Sequence, residues 1–278
     1  MTPAEIDRIV GVAREFGMRS VKFTGGEPLV RNDLEEIVGR TVARISDVSL
    51  TTNGSMLEPR AEGLRDAGLK RVNVSVDSID PEQFRAIRKG GLPSVLRGVR
   101  EALRVGLKPV KLNMVVFRPT LENIPKMIDF VGSTEGLKLQ LIQFMPELVQ
   151  HREWMVDIDT VRRWLEDHAS RVLVREMHHR RVYLFREAEV ELVDPVYNAE
   201  FCSNCHRIRV THQGELKGCL NRTDDLIPTR GLDDDALRAA FRRVVAARMP
   251  YYGAYVTDYP TRASISERLP MVPFPRTP

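Results

Sequence analysis

From residue 3 to about 145 the chain switches repeatedly between helical and extended hydrophobic periods, and this alternation restricts it to a small set of folds. Ile6, Ile9, Val10, Val12 and Ala13 recur at helical spacing up to Gly17, while Thr2, Pro3 and Glu5 form a capping-box start. The pattern then predicts strands at 21–24, 48–53, 71–77, 109–116 and 138–145. Helices are expected between them, near 33–44, 59–67, 81–88, 93–105 and 121–131. Strands that alternate with helices build βα units around a parallel sheet, so the expected fold class is α/β.

Period-two reading sorts each strand into two faces. Lys22, Thr24 and Gly26 oppose Val21 and Phe23, and Ser49, Thr51 and Asn53 oppose Val48 and Leu50. Asn73, Ser75 and Asp77 oppose Val72, Val74 and Val76; Lys111 and Asn113 oppose Val110, Leu112 and Met114. The apolar faces are ready to take helices. A closed eight-stranded barrel fills its interior with branched apolar side chains, so a polar interior implies an incomplete barrel around a ligand cavity. The alternative, a sheet with one solvated face, is common for antiparallel strands and unusual for parallel ones. The polar groups fall mostly toward the strands' carboxyl ends, where such folds place their sites.

After Pro146 the pattern changes, which divides the chain into a barrel region, 1–146, and a second region, 147–278. The second region predicts a helix at 158–168, two or three strands within 172–193, a hairpin at 207–220 turning at Gln213-Gly214, and a helix near 234–246. The Pro- and aromatic-rich end, 250–278, is expected to wrap over the surface. The 278 residues are 42% hydrophobic and 29% charged, which excludes a disordered or collagen-like chain. No run approaches ~18 uninterrupted apolar residues, so no membrane-spanning helix or membrane partner is expected. The start, MTPAEIDRIV, lacks a basic stretch followed by an apolar core, so the expected location is the cytoplasm. A net charge of +4 is too small for a nucleic-acid footprint but leaves a phosphorylated small molecule open.

The three cysteines all lie within 202–219. Their odd number and clustering favour ligation of a metal centre over a disulfide framework. Cys202 and Cys205 form a Cys-x2-Cys turn, and Cys219 follows after thirteen residues. The spacing admits a structural zinc completed by His206 or His212, a four-iron cluster with one open iron, or haem attachment at Cys202-Ser203-Asn204-Cys205-His206. Arg207 and Arg209 are two apart on a predicted strand, so both guanidiniums are expected to leave one face, suited to bidentate contacts with phosphate. A solvated hairpin face is their alternative. Together with Lys22 and Lys111 they favour a phosphate-bearing ligand.

These residues resemble one family, the GTP 3′,8-cyclases, the molybdenum cofactor biosynthesis protein A group of radical S-adenosylmethionine enzymes. VKFTGGEPLVR at 21–31 is similar to the family's adenosylmethionine-binding strand, and TTNG at 51–54, RVNVSVDSID at 71–80 and FMP at 144–146 follow in the family's order. FCSNCHRIRVTHQGELKGCL at 201–220 resembles its carboxyl-terminal cluster motif, Cys-x2-Cys-x13-Cys with the intervening Arg-x-Arg. The resemblance runs from residue 1 to about 250. It implies an incomplete TIM-like (βα)6-type barrel of the radical S-adenosylmethionine kind, its first strand missing, with a C-terminal α+β iron–sulfur cluster region.

By the same resemblance Cys202, Cys205 and Cys219 would hold a [4Fe-4S] cluster whose open iron binds the guanine of GTP. Arg207, Ile208 through its backbone, Arg209, Lys22, Thr51 and Lys111 would contact GTP, and Gly26, Ser75 and Met145 would contact S-adenosylmethionine. The barrel members of this set are expected at or near strand carboxyl ends. Without the resemblance, Thr51 and Ser75 read as locally bonded strand hydroxyls, Met145 as core filler and Gly25-Gly26 as a tight turn. The implied reaction joins C8 of guanine to C3′ of ribose, giving (8S)-3′,8-cyclo-7,8-dihydroguanosine 5′-triphosphate, the first step toward molybdopterin. A 5′-deoxyadenosyl radical from S-adenosylmethionine would remove the 3′ hydrogen.

The sequence departs from the family at three places. No cysteine precedes Cys202, so the family's Cys-x3-Cys-x2-Cys loop has no counterpart, no catalytic residue is assigned in this chain, and a second [4Fe-4S] cluster is expected only with that loop. A truncated start with an inactive short chain is the expectation, since a barrel lacking its first strand exposes an edge. Gln140 and Gln143 stand where many members carry Arg and Glu, and the end Pro-Phe-Pro-Arg-Thr-Pro replaces Gly-Gly. The alternatives are a non-catalytic GTP-binding relative with a single cluster and a zinc-ribbon interaction protein. Further implied partners are a second copy in a homodimer, an unidentified electron donor and the cyclic pyranopterin monophosphate synthase that takes the product.

Overall fold

The computed structural model describes residues 1–88, 90–145 and 151–251. Pro146 and the expected surface wrap over 252–278 lie outside the described residues. In chain order the elements are α1 (Pro3–Glu15), β1 (Ser20–Phe23), α2 (Leu34–Arg44), β2 (Asp47–Thr52), α3 (Ala61–Asp66), β3 (Arg71–Ser75), α4 (Pro81–Ile87), α5 (Leu92–Arg104), β4 (Val110–Val116), α6 (Ile124–Gly132) and β5 (Leu137–Gln143). Then follow α7 (Ile158–His168), β6 (Arg171–Val174), β7 (Arg181–Leu184), β8 (Glu189–Val193), α8 (Ala199–Ser203), β9 (Arg209–Val210), β10 (Glu215–Lys217), β11 (Ile227–Pro228) and α9 (Asp234–Ala246).

The expected βα strands are all present. The Thr2–Glu5 capping box opens α1 as predicted. Two helices begin later than expected, each for the same reason. Pro59 and Pro125 sit in first turns, and short 3-10 segments at Glu58–Arg60 and Arg118–Asn123 precede α3 and α6. Strand β5 ends at Gln143, so Met145 lies beyond it rather than within it.

The chain forms two compact units. Of the described residues, the first holds 1–73, 94–108 and 206–251 and the second holds those within 74–93 and 109–205, so β3 is divided between them.

In the first unit β1 runs parallel to β2, with Ser20 opposite Asp47 and Phe23 opposite Leu50. Val48 and Leu50 are fully buried, as are Leu34, Ile37 and Val38 of the adjoining α2. Helix α5 closes on the loop after β2 because Gly98 has no side chain. A Cβ there would lie 2.9 Å from Leu57 Cβ and 3.0 Å from the Gly54 carbonyl. A second core joins the start and end of this unit: Ile9, Val12 and Ala13 of α1 pack with Leu216 of β10 and Leu237, Ala240, Phe241 and Val244 of α9. Phe16 stacks on Phe241 at 5.5 Å, and ion pairs Arg8–Asp234 (2.6 Å) and Arg238–Glu15 (2.7 Å) frame the contact. The small antiparallel sheet is ordered β11-β10-β9.

In the second unit the order is β4-β5-β8-β7-β6. β4, β5 and β8 are parallel; β7 and β6 return antiparallel, matching the two or three strands expected within 172–193. Burial alternates along β4, with Val110, Leu112, Met114 and Val116 buried and Lys111, Asn113 and Val115 half-buried. Among the described residues no helix is long and apolar enough to cross a membrane.

Phe241→Ala empties the centre of the α1–α9 core, and large-to-small changes at such sites cost about 3–5 kcal/mol. A urea titration of the full chain should show a loss of that size; an unchanged midpoint would mean that α9 does not depend on this contact.

Candidate functional site

In the first unit the loop after β1 is shaped by one carboxylate. Gly25 has φ +144°, a conformation that residues with a side chain rarely adopt, and a Cβ on Gly26 would meet nothing within 4 Å. Glu27 then turns back to β2. It accepts hydrogen bonds from Thr52 Oγ1 (2.6 Å) and the Asn53 backbone N–H (2.7 Å), and caps the following turn through the Leu29 N–H (3.0 Å). Lys22 is exposed on β1, and Thr51 is half-buried one residue before the Thr52 anchor. A shallow hollow in this unit lies near the start of α1 and is lined by none of the expected site residues.

In the second unit the polar strand face centres on Glu191, in the middle of β8 and 2% exposed. Lys111 Nζ lies 2.8 Å from one of its oxygens, and Gln140 Nε2 donates to the same oxygen at 2.9 Å. Arg175 and Arg180 lie 3.1 Å from the other oxygen. Burial alone would raise the Glu191 carboxyl, but Lys111, Arg180 and Arg175 together carry it below its usual range. Burial pulls Lys111 below its usual value, partly opposed by Glu191. Lys111 is the second residue of β4, at the amino end, which corrects the expectation that it lies toward the carboxyl end; the strand starts only at Val110, just past Lys108-Pro109. Ser75 closes β3 and is half-buried. Just beyond it buried Asp77 accepts the Val115 N–H (2.8 Å) and pairs with Arg88 (2.6 Å). Met145 is half-buried past β5. Gln143 is fixed by accepting the Val196 N–H at 3.0 Å, so both unusual glutamines have structural partners.

Cys202 lies in α8, capped by Asn198, and the Cys205 N–H bonds the Cys202 carbonyl at 3.2 Å. The segment before β7 clamps this helix. His178 stacks on Phe201 at 4.0 Å, its N–H donates to the Asn204 carbonyl at 2.8 Å, and His179 Nδ1 lies 2.9 Å from Glu200. Cys219 follows β10 in the first unit, where the Gly218 N–H bonds Asp225 at 2.8 Å. None of the three cysteines is in a disulfide, and all are half-buried. Among the described residues no group of three or more His, Cys, Asp and Glu side chains is gathered to hold a metal ion. The donor chemistry nevertheless suits a three-thiolate cluster: no thiol is consumed in a disulfide, and cations stand near two of them, Arg180 at Cys205 and Arg222 at Cys219.

The hairpin turns at Gln213-Gly214 as expected, with Gly214 at φ +83°. Its first strand is shorter than predicted. β9 pairs only through Arg209 and Val210, because β10 itself stops at Lys217 before the Gly218–Asp225 bond. Arg207 therefore precedes the strand, and the shared strand face expected for Arg207 and Arg209 is not formed. Ile208 between them packs on the α1–α9 core, leaving two half-buried arginines on either side. Sequence periodicity missed Glu27, Arg175, Arg180 and Glu191. The alternation Glu-Val-Glu-Leu-Val at 189–193 was the available sign of Glu191.

Residues 1–131 match the Radical SAM superfamily and residues 137–254 match Molybdenum Cofactor Synthesis C. The "Probable GTP 3′,8-cyclase" of Halobacterium salinarum is 50% identical over 277 residues, covering 90% of this chain and 76% of the relative. Proteins of the same name from Methanosarcina mazei and Methanocella arvoryzae are 44% and 41% identical, covering 91% of this chain and 77% and 82% of those relatives. Among solved structures, Streptococcus suis SuiB bound to S-adenosylmethionine matches with a TM-score of 0.64 at 16% identity, over 86% of this chain and 58% of SuiB. SuiB bound to its precursor peptide SuiA matches at 0.66 with 16% identity, over 92% of this chain and 60% of SuiB. The fold is thus the α/β partial barrel of radical S-adenosylmethionine proteins, and by its identity to these relatives over nine-tenths of its length the chain belongs to the GTP 3′,8-cyclase family.

Proposed function

We infer that this protein is a GTP 3′,8-cyclase, a lyase that converts GTP to (8S)-3′,8-cyclo-7,8-dihydroguanosine 5′-triphosphate in the first step of molybdenum cofactor biosynthesis. The observation that carries this reading is the 50% identity over 277 residues to a relative of that name, together with the Cys-x2-Cys-x13-Cys motif and its Arg-x-Arg. In this family the bound clusters and S-adenosylmethionine supply the radical that removes the ribose 3′ hydrogen and the iron that takes the guanine.

This chain's own residues bind and orient. Cys202, Cys205 and Cys219 would hold the cluster, and Arg207, the Ile208 backbone, Arg209, Lys22, Thr51 and Lys111 would hold GTP. Gly26, Ser75 and Met145 contact S-adenosylmethionine. Fixing the triphosphate restrains the ribose, which keeps the reacting carbon within reach of its partner. The open space over Gly26 and the Glu27 anchor support a role for that loop in accepting a cofactor close to the backbone. The cysteines of a second cluster are not among these 278 residues. The reading divides the chain into a barrel, 1–146, and a cluster-bearing region, 147–278. It places the protein in the cytoplasm, as a homodimer served by an electron donor, with cyclic pyranopterin monophosphate synthase taking the product.

Anaerobic reconstitution of the chain should yield about four iron and four sulfide per molecule, and Cys219→Ser should lower both sharply. About one zinc and no iron would overturn the assignment. Arg207→Ala and Arg209→Ala should each weaken GTP binding by about tenfold or more, the size of a lost hydrogen bond to a charged group. Equal affinity in both variants, measured by equilibrium dialysis, would remove the arginines from the phosphate site.

A further inference from the structure

The polar face of β3 runs on past the strand's last residue. Ser75 ends the strand, yet the Val76 N–H still reaches the Asn113 carbonyl of β4 at 2.9 Å. In a parallel ladder the next rung starts from the N–H of Val115, two residues further along β4, and returns to the Val76 carbonyl. Here the Asp77 carboxylate takes that N–H at 2.8 Å. One side chain thus supplies a bond between the two strand ends where the ladder is stopping. Alternation puts it on the same face as the Ser75 hydroxyl, two residues back.

Asp77 can serve as a carboxylate there only with a counterion, because its side chain is 3% exposed. Arg88 provides it, with Nε 2.6 Å from the other oxygen. The guanidinium is delivered by α4, which Arg88 follows directly. Asp80 caps the start of that helix by accepting the Glu82 and Gln83 N–H groups, and Gln83 Nε2 donates to the Pro119 carbonyl beyond β4 at 2.7 Å. The seven-residue helix is therefore tied near its start to the segment after β4 and at its end, through Arg88, to Asp77. A helix this short keeps its place through such contacts rather than by itself.

We propose that Asp77 is the positioning residue for the Ser75 hydroxyl in S-adenosylmethionine binding, with Arg88 as the counterion that keeps it in place. This rests on the reading in which Ser75 contacts that ligand. A hydroxyl at a strand end keeps one direction only if the backbone after it is held, and Asp77 holds that backbone where the ladder stops. An ion pair suits the task because its charge-assisted bonds are stronger than neutral ones, while a buried carboxylate that loses its partner is strongly destabilising. Asparagine at position 77 keeps the shape and can still accept the Val115 N–H, but it turns an N–H group toward the Arg88 Nε–H.

The test is a double-mutant cycle on the anaerobically reconstituted full chain, read by equilibrium dialysis with S-adenosylmethionine and, separately, with GTP. Ser75→Ala should lose about three- to tenfold in S-adenosylmethionine affinity, the size of one neutral hydrogen bond. Asp77→Asn should lose no more than that, and the two changes together should lose no more than Ser75→Ala alone, since the second acts through the first. GTP affinity should stay level throughout. Arg88→Gln alters the more exposed partner and carries the same cycle if Asp77→Asn does not fold; its loss should be smaller and should likewise vanish in the Ser75→Ala background. Losses that add in the folded variants overturn the inference alone, because a general loosening of the strand end does not depend on the Ser75 hydroxyl. Unchanged S-adenosylmethionine affinity in the folded Asp77 and Arg88 variants, or an equal loss for GTP, also overturns it alone. A Ser75→Ala variant that binds S-adenosylmethionine like the wild type overturns the contact and the inference with it. A wild type that binds neither ligand overturns the cyclase reading as a whole.

Discussion

Each strand of a βα sheet gives one face to helices, and the polar groups on its other face must then satisfy one another. The two units meet this requirement with buried or half-buried carboxylates. Glu27 follows β1 and takes the Asn53 N–H just past the end of β2; Asp77 follows β3 and takes the Val115 N–H of β4. In both cases a side chain beyond one strand bonds the backbone of the next, where the sheet's own ladder is ending. A carboxylate suits this task because it accepts several bonds at once, and charge-assisted bonds to backbone N–H groups are stronger than neutral ones. The loops that carry Gly25-Gly26 and the β3 end are thus fixed by the sheet rather than by packing of their own side chains.

Glu191 solves the same problem differently. It lies within a strand, where the backbone ladder is already occupied: it is opposite Gln140 on β5 and Val182 on β7. Its oxygens therefore meet only side chains. The antiparallel return of β7 and β6 matters here. Because β7 runs back along β8, the turn entering it brings Arg180 and Arg175 to the same carboxylate that Lys111 and Gln140 reach from the parallel strands. Without that return, the parallel strands alone would offer Glu191 only Lys111 and Gln140.

The features legible in the sequence were those set by local period. The capping box, the alternation on β4, the 158–168 and 234–246 helices and the Gly214 turn all depend on residues within one element. The features that escaped depend on pairing across the chain. Lys111 and Glu191 are 80 residues apart, and nothing in the spacing around either one fixes strand register. The same applies to Arg207, whose place outside β9 follows from where β10 stops, and to Asp225, whose bond to Gly218 stops it. The three cysteines and their arginines were visible because their order in sequence is itself the motif. The carboxylates that position neighbouring groups were not, since an isolated Glu or Asp in a strand looks like a solvated residue until its partners are known.

The cysteine turn and the Glu191 cluster share one structural cause. Two successive left-handed residues are unfavourable for histidine, and they persist because α8 holds each of them, His178 through Phe201 and the Asn204 carbonyl, His179 through Glu200. Cys202 is part of that helix and Cys205 follows it by one turn. The contacts that hold α8 are therefore also contacts of the backbone that leads into Arg180. The helix is only five residues long, too short to be stable by itself, so its order has to come from such partners. The strain is thus informative: it links the placement of two thiols to the placement of a cation, within one unit and over a few residues of chain.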